Sequence, residues 1–201
     1  MKKAELVAEI KKSVESNHNV ILTSHLGTEN TRLAQETAAE LLGYVDADGN
    51  PNLKALEVAA KGPNRQYLYY RVEPDMKFED FSTWLEELAK GLQNRAAKTA
   101  AAMEEPLIVA TIISGTELPT TEFRAVTVKS EDPGEFVVVI DGLEQVDWMM
   151  APLPSPALSE KLCFPENTFI IATMTDAALE HSGAVAFWNK HLTWPPVQIG
   201  R

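Results

Sequence analysis

Eight residues, Ser24-His25-Leu26-Gly27-Thr28-Glu29-Asn30-Thr31, separate a short apolar β-rich run, Asn19–Thr23, from an amphipathic stretch that begins near Thr31. A strand, a tight turn and a helix in that order can curl backbone N–H groups around phosphate, as in the pattern G-x-x-x-x-G-K-[ST]. That chemistry needs glycines for close backbone approach, a lysine for the β and γ charges and a hydroxyl for Mg²⁺. Here Gly27 and Thr31 stand in register, while Ser24 and Glu29 replace the first and last glycines and Asn30 replaces the lysine. Glu29 sets a negative charge against a polyphosphate, a repulsion of about 1 kcal/mol in water and more when desolvated. Asn30 removes the one cation.

A second group sits at the end of another apolar run, Phe136-Val137-Val138-Val139-Ile140-Asp141. An acid closing a buried strand can hold Mg²⁺, and Asp141 is the one candidate metal ligand, provided other oxygens converge on it. Asp141, Glu144 and Asp147 recur every three residues, which a strand end and a following polar turn explain equally well. Ser24-His25 offers a nucleophile beside a base, but adjacent turn residues do not face each other as a Ser–His–acid triad requires, and no G-x-S-x-G elbow is present. Cys163 with His181 and Asp176 is a thiol arrangement on paper, against the plainer reading of a packed cysteine. Histidines 18, 25, 181 and 191 show no zinc spacing. His25 is a candidate anion contact when protonated, against a solvated loop histidine. Tyr67, Tyr69 and Tyr70 with Trp84 are a candidate stacking surface for bases, against strand residues that pack on helices. Trp188, Trp194 and Pro195-Pro196 form a candidate apolar patch for a protein partner.

The elements that would position these residues follow from periodicity. Leu6, Val7, Ile10 and Val14 mark a helix over 2–16, and Leu33, Ala34, Thr37, Ala38, Leu41 and Leu42 mark the buried stripe of a second, with Gly43 as its stop. Residues 44–64 read as a loop with a helical turn near 53–60. Phe78, Phe81, Leu85, Leu88 and Leu92 repeat at 3, 4, 3, 4 and give the clearest helix, which Ala96–Met103 extends or follows. Continuous apolar runs bounded by turns predict strands near 19–23, 66–72, 136–140, 168–173 and 191–196. Residues 107–128 predict an inserted β-hairpin, and 176–181 a short helix. Buried strands alternating with helices predict a three-layer α/β/α sandwich with a mainly parallel five-stranded sheet, in one domain spanning 1–201.

Composition narrows the functional classes. The chain has 201 residues, 45% of them apolar, enough for a proper core. Its net charge is −11, and residues 131–201 carry ten acids against three bases. Nucleic-acid binding by bulk electrostatics is thereby disfavoured, as is an anionic membrane surface. A single cysteine fits a reducing compartment, and the charged start and lack of a long apolar run predict a cytoplasmic protein.

Taken together, three segments resemble the AAA+ NTPase domain of the McrB family, the GTPase subunit of methylcytosine-specific restriction. Ser24–Thr31 is similar to that family's GPPGTGKT loop. Phe136–Asp141 is similar to its second motif, vvIDEINR, and Phe164–Ala177 to its sensor segment, lPeNlyIIGTMNtaD. Phe78-Glu79-Asp80-Phe81 is similar to its YEDF, and the likeness runs in order from about residue 17 to 197. The resemblance implies a P-loop NTPase fold, with Gly27, Thr28, Thr31 and Asp141 as a vestigial nucleotide and Mg²⁺ site. It also implies that the machinery is gone. The lysine falls on Asn30, the catalytic glutamate on Gly142 and the sensor asparagine on Thr175. Ala186–His191 holds no arginine finger, and no helical lid follows before Arg201. No residue is therefore assigned a catalytic role. The expectation is an inactive module, a pseudo-NTPase needing no cofactor and acting through a protein partner. The alternative is a sensor that binds ATP or GTP with Mg²⁺ without hydrolysing it.

Overall fold

The computed structural model describes residues 3–24, 28–61, 66–104, 108–109, 124–125, 135–147, 162–181, 183–184, 186–187 and 197–199. Helix α1 (Lys3–Asn17) buries Leu6, Val7, Ile10 and Val14, its predicted face. It ends where His18 adopts φ 60°, the left-handed conformation in which helices commonly stop. The His18 N–H donates to the Val14 carbonyl at 2.7 Å, and its own carbonyl accepts from the Ile170 N–H at 2.8 Å. This residue thus closes α1 and starts the sheet in one step.

Strand β1 (Asn19–Ser24) leads to α2 (Thr28–Leu41). That helix begins three residues before the expected Thr31, and Gly43 at φ 72° follows its end as predicted. The loop beyond carries α3 (Leu53–Lys61), then edge strand β2 (Tyr67–Arg71), a two-residue strand β3 (Met76–Lys77) and α4 (Phe78–Glu104). The alanine-rich segment extends α4 and does not form a helix of its own. Two short segments, β4 (Ile108–Val109) and β5 (Arg124–Ala125), pair antiparallel inside the predicted insertion. After them come β6 (Phe136–Asp141), a 3-10 turn (Leu143–Gln145), β7 (Val146–Asp147), β8 (Thr168–Thr175), α5 (Asp176–His181) and β9 (Val197–Ile199).

The main sheet has five strands in the order β2-β6-β8-β1-β9, and every neighbouring pair is parallel. The last strand was expected at 191–196. It is Val197–Ile199 that pairs with Val20–Leu22, and 191–196 lie outside the described residues. Successive residues of the central strands point to opposite faces, and both faces are covered, which is why these strands read as unbroken apolar runs. Val20, Leu22, Val137, Val139, Phe169 and Ile171 pack with α1 and α2. Ile21, Val138, Ile140, Ile170, Ala172 and Met174 pack with Phe81, Leu85 and Ala89 of α4. The result is the three-layer α/β/α architecture. Phe81 is fully buried at its centre, 5.8 Å from Trp84 between ring centroids.

The connections locate the crevice. After β1 the chain crosses on the α1 side through α2, and after the adjacent β8 it leaves on the α4 side, where Ala178 and Leu179 of α5 pack. Neighbouring parallel strands whose connections diverge to opposite faces open a crevice at their carboxyl ends, the usual ligand position in open α/β sheets.

Candidate functional site

Five parallel strands point toward this edge, four of them ending in Ser24, Arg71, Asp141 and Thr175. The structure brings Thr31 and Asp141 together, although 110 positions separate them: the Thr31 hydroxyl donates to Asp141 Oδ1 at 2.5 Å. Thr173, on β8, donates to the same oxygen at 2.8 Å, and the Tyr69 hydroxyl, on β2, donates to Oδ2 at 2.7 Å. Asp141 is only 9% exposed, so its charge must be met by donors, and three hydroxyls meet it. Thr173 and Tyr69 gave no sequence signal for this role. Thr173 read as one more residue of a buried strand, and Tyr69 read as part of an aromatic strand.

Asn30, expected from the sequence to replace a phosphate-binding lysine, is 1% exposed and turned into the protein. Its side-chain amide donates to the carbonyls of Met174 at 3.2 Å and Leu22 at 3.4 Å, tying β8 to β1 at the mouth of the crevice. Its Oδ1 is buried without a hydrogen-bond partner. Glu29 is exposed in the first turn of α2. An acid there complements the positive end of the helix dipole, worth about 0.3–1 kcal/mol, in the place where a phosphate would do so. His25, Leu26 and Gly27 lie outside the described residues. Thr28 opens α2.

Gly142 has φ 82° and caps the 3-10 turn. Its N–H donates to the Thr173 hydroxyl at 3.1 Å, so Thr173 bridges this turn to Asp141. Thr175 uses its hydroxyl to accept the Ala178 N–H at 3.3 Å, bonding the first turn of α5. Asn30, Gly142 and Thr175 therefore each have a local structural task here.

A groove of about 570 Å³ opens over this network, lined among the described residues by Thr31, Arg71, Glu73, Asp141, Glu144 and Thr175, with others. Burial pushes the Glu144 carboxyl above its ordinary range, and the negative Asp141 pushes it further, while backbone N–H groups, its own and that of Thr175, oppose the rise. Glu144 Oε2 is buried without a hydrogen-bond partner. Burial also lifts the Tyr69 phenol to about 12, helped by its bond to Asp141 and the charge there. Among the described residues no group of three or more His, Cys, Asp or Glu side chains is placed to hold a metal ion.

Among the described residues the other candidates are not assembled into sites. Tyr67 is buried in the α1 side of the core, and Tyr70 stacks on Trp84 at 3.8 Å between centroids, so the tyrosines pack rather than present a base-stacking surface. Cys163 is exposed, against the packed cysteine expected. Trp188, Trp194, Pro195 and Pro196 lie outside the described residues. Among the described residues no helix is long and apolar enough to cross a membrane. Compared with protein-family models, curated proteins and solved structures, the chain matches none.

Proposed function

We propose that this chain is a catalytically inactive P-loop-like module that acts by binding another protein. The observation that carries the reading is Asn30. In place of a mobile cation it offers a buried amide spent on two main-chain carbonyls of the sheet. Three further features support it. Asp141 has its carboxylate occupied by hydroxyls, and Gly142 has no side chain with which to orient water. Glu29 adds negative charge at the helix end that would meet phosphate. We therefore read these residues as a poor match for a magnesium nucleotide, and derive no chemical step through one. The ordered motifs similar to the McrB family support a P-loop ancestry, and with the chemistry lost, protein contact is the role such a scaffold retains.

Isothermal titration with ATP and with GTP, each with Mg²⁺, tests the reading. The native chain is expected to give no binding heat. A variant carrying Glu29→Gly and Asn30→Lys, which restores the glycine and the cation, is expected to bind. Micromolar binding by the native chain would overturn the proposal in favour of the second reading, a nucleotide-binding sensor that does not hydrolyse. The groove of about 570 Å³ beside Thr31 and Asp141 is the observation that favours that alternative.

A further inference from the structure

We propose that the Tyr69 hydroxyl is an internal substitute for a cation at Asp141, an autoinhibitory contact that keeps this carboxylate closed to divalent ions. The inference rests on the inactive-module reading above and gives it a residue.

The geometry is specific. Tyr69 lies on β2 opposite Val139 of β6, two residues short of Asp141. Tyr67 and Tyr69 share the face turned toward α1 and α2, while Tyr70 lies on the other face and stacks on Trp84. From that position the Tyr69 ring packs beside the core and its hydroxyl reaches Asp141 Oδ2 at 2.7 Å. The other oxygen already accepts from Thr31 at 2.5 Å and Thr173 at 2.8 Å. Thr31 and Thr173 occupy only Oδ1, so without Tyr69 the carboxylate would keep a whole oxygen for an ion. With Tyr69, an O–H dipole points its positive end at that oxygen, and a hard cation would have to displace it. A carboxylate this buried cannot be left half-compensated. Phenylalanine at 69 would pack equally well and leave Oδ2 bare.

The test is Mn²⁺ binding, followed by the loss of the free-ion electron paramagnetic resonance signal, with Mn²⁺ alone as the probe. Four proteins are compared: the native chain, Tyr69→Phe, Asp141→Asn, and the double variant Tyr69→Phe with Asp141→Asn. Circular dichroism confirms that each is folded. Should Tyr69→Phe fail to fold, Tyr69→Leu removes the same hydroxyl and takes its place. The expected result is Mn²⁺ affinity about tenfold or more tighter in Tyr69→Phe than in the native chain, the scale of one hydrogen bond to a charged group. That gain should vanish in the double variant, which separates Asp141 from weak sites elsewhere on an acidic surface. A folded Tyr69→Phe protein that binds Mn²⁺ no better than the native chain overturns the assignment of Tyr69 and leaves the inactive-module reading standing. A gain that survives Asp141→Asn also overturns it, since the ion is then held elsewhere. Tight binding by the native chain that Asp141→Asn abolishes overturns both, because Asp141 would then be open as it stands.

Discussion

The side-chain amide of Asn30 donates to the Met174 carbonyl at 3.2 Å, joining the first turn of α2 to the end of β8. The same amide reaches Leu22 on β1 at 3.4 Å, so one side chain spans the two strands between which the crevice opens. A lysine could not make this bridge while also reaching a phosphate. The position serves as a strand clamp.

Asn30→Ala removes a donor from both carbonyls and leaves them buried, at a cost of about 1–2 kcal/mol. Asn30→Asp should cost more, because it faces the two carbonyls with a charge that repels them. Urea unfolding of the three proteins gives the order directly. Equal stability of Asn30→Ala and the native chain would refute the clamp.

Asp141→Ala strips the acceptor from three hydroxyls at once and should cost about 3 kcal/mol or more. Asp141→Asn keeps one oxygen acceptor and should lose less. Thermal unfolding of the pair measures the difference. A small loss in both would mean that the hydroxyl network is not a stabilising unit.

Gly142 at φ 82° sits in a conformation that side-chain-bearing residues adopt at a penalty. Gly142→Ala is expected to cost about 1–2 kcal/mol. A Cβ there would meet Gln145 Cγ at 3.5 Å, ordinary contact, so the loss is one of backbone conformation and not of collision. A glutamate at this position would carry the same penalty. Chemical denaturation of Gly142→Ala checks it.

The Tyr69 phenol titrates near 12 in the folded chain against an ordinary 10.0. Folding therefore holds its proton more tightly than the unfolded chain does. This contribution to stability is complete below pH 10 and is lost as the pH rises toward 12. Melting temperatures across pH 9–12 should fall less steeply for Tyr69→Phe than for the native chain. Parallel curves would show that neither burial nor the bond to Asp141 holds this proton.

Fold and site were legible to different depths. Periodicity placed the helices within about three residues because the buried stripes of α1 and α4 follow one face throughout. The unbroken apolar runs of β6 and β8 announced a sheet covered on both sides. The α2 start was misplaced because Thr28, Glu29 and Asn30 carry no apolar signal, although the helix already includes them. At the site, Thr31 and Asp141 were grouped through the family resemblance as parts of one nucleotide site, while the hydrogen bond that joins them was not foreseen. The remaining partners of Asp141 were not, because hydroxyls on neighbouring strands meet only through sheet register. Tyr69 is 72 positions from Asp141 in the chain yet on the adjacent strand in space. Asn30 was read as a missing cation, and nothing local could show that its amide had gained two carbonyls.

Helix α4 runs from the groove edge of the sheet to the opposite edge, where Leu92, Arg95 and Ala96 meet Phe136 and Thr168 at the starts of β6 and β8. Its last eight residues, Ala97–Glu104, add about 12 Å of helix beyond Ala96. Strand β6, at six residues, sets roughly 17 Å between that edge and Asp141. The molecule has two poles. Helix α4 runs away from Asp141 toward its end at Glu104, so a fluorophore or affinity handle attached there is expected to report on or immobilise the protein without crowding the groove.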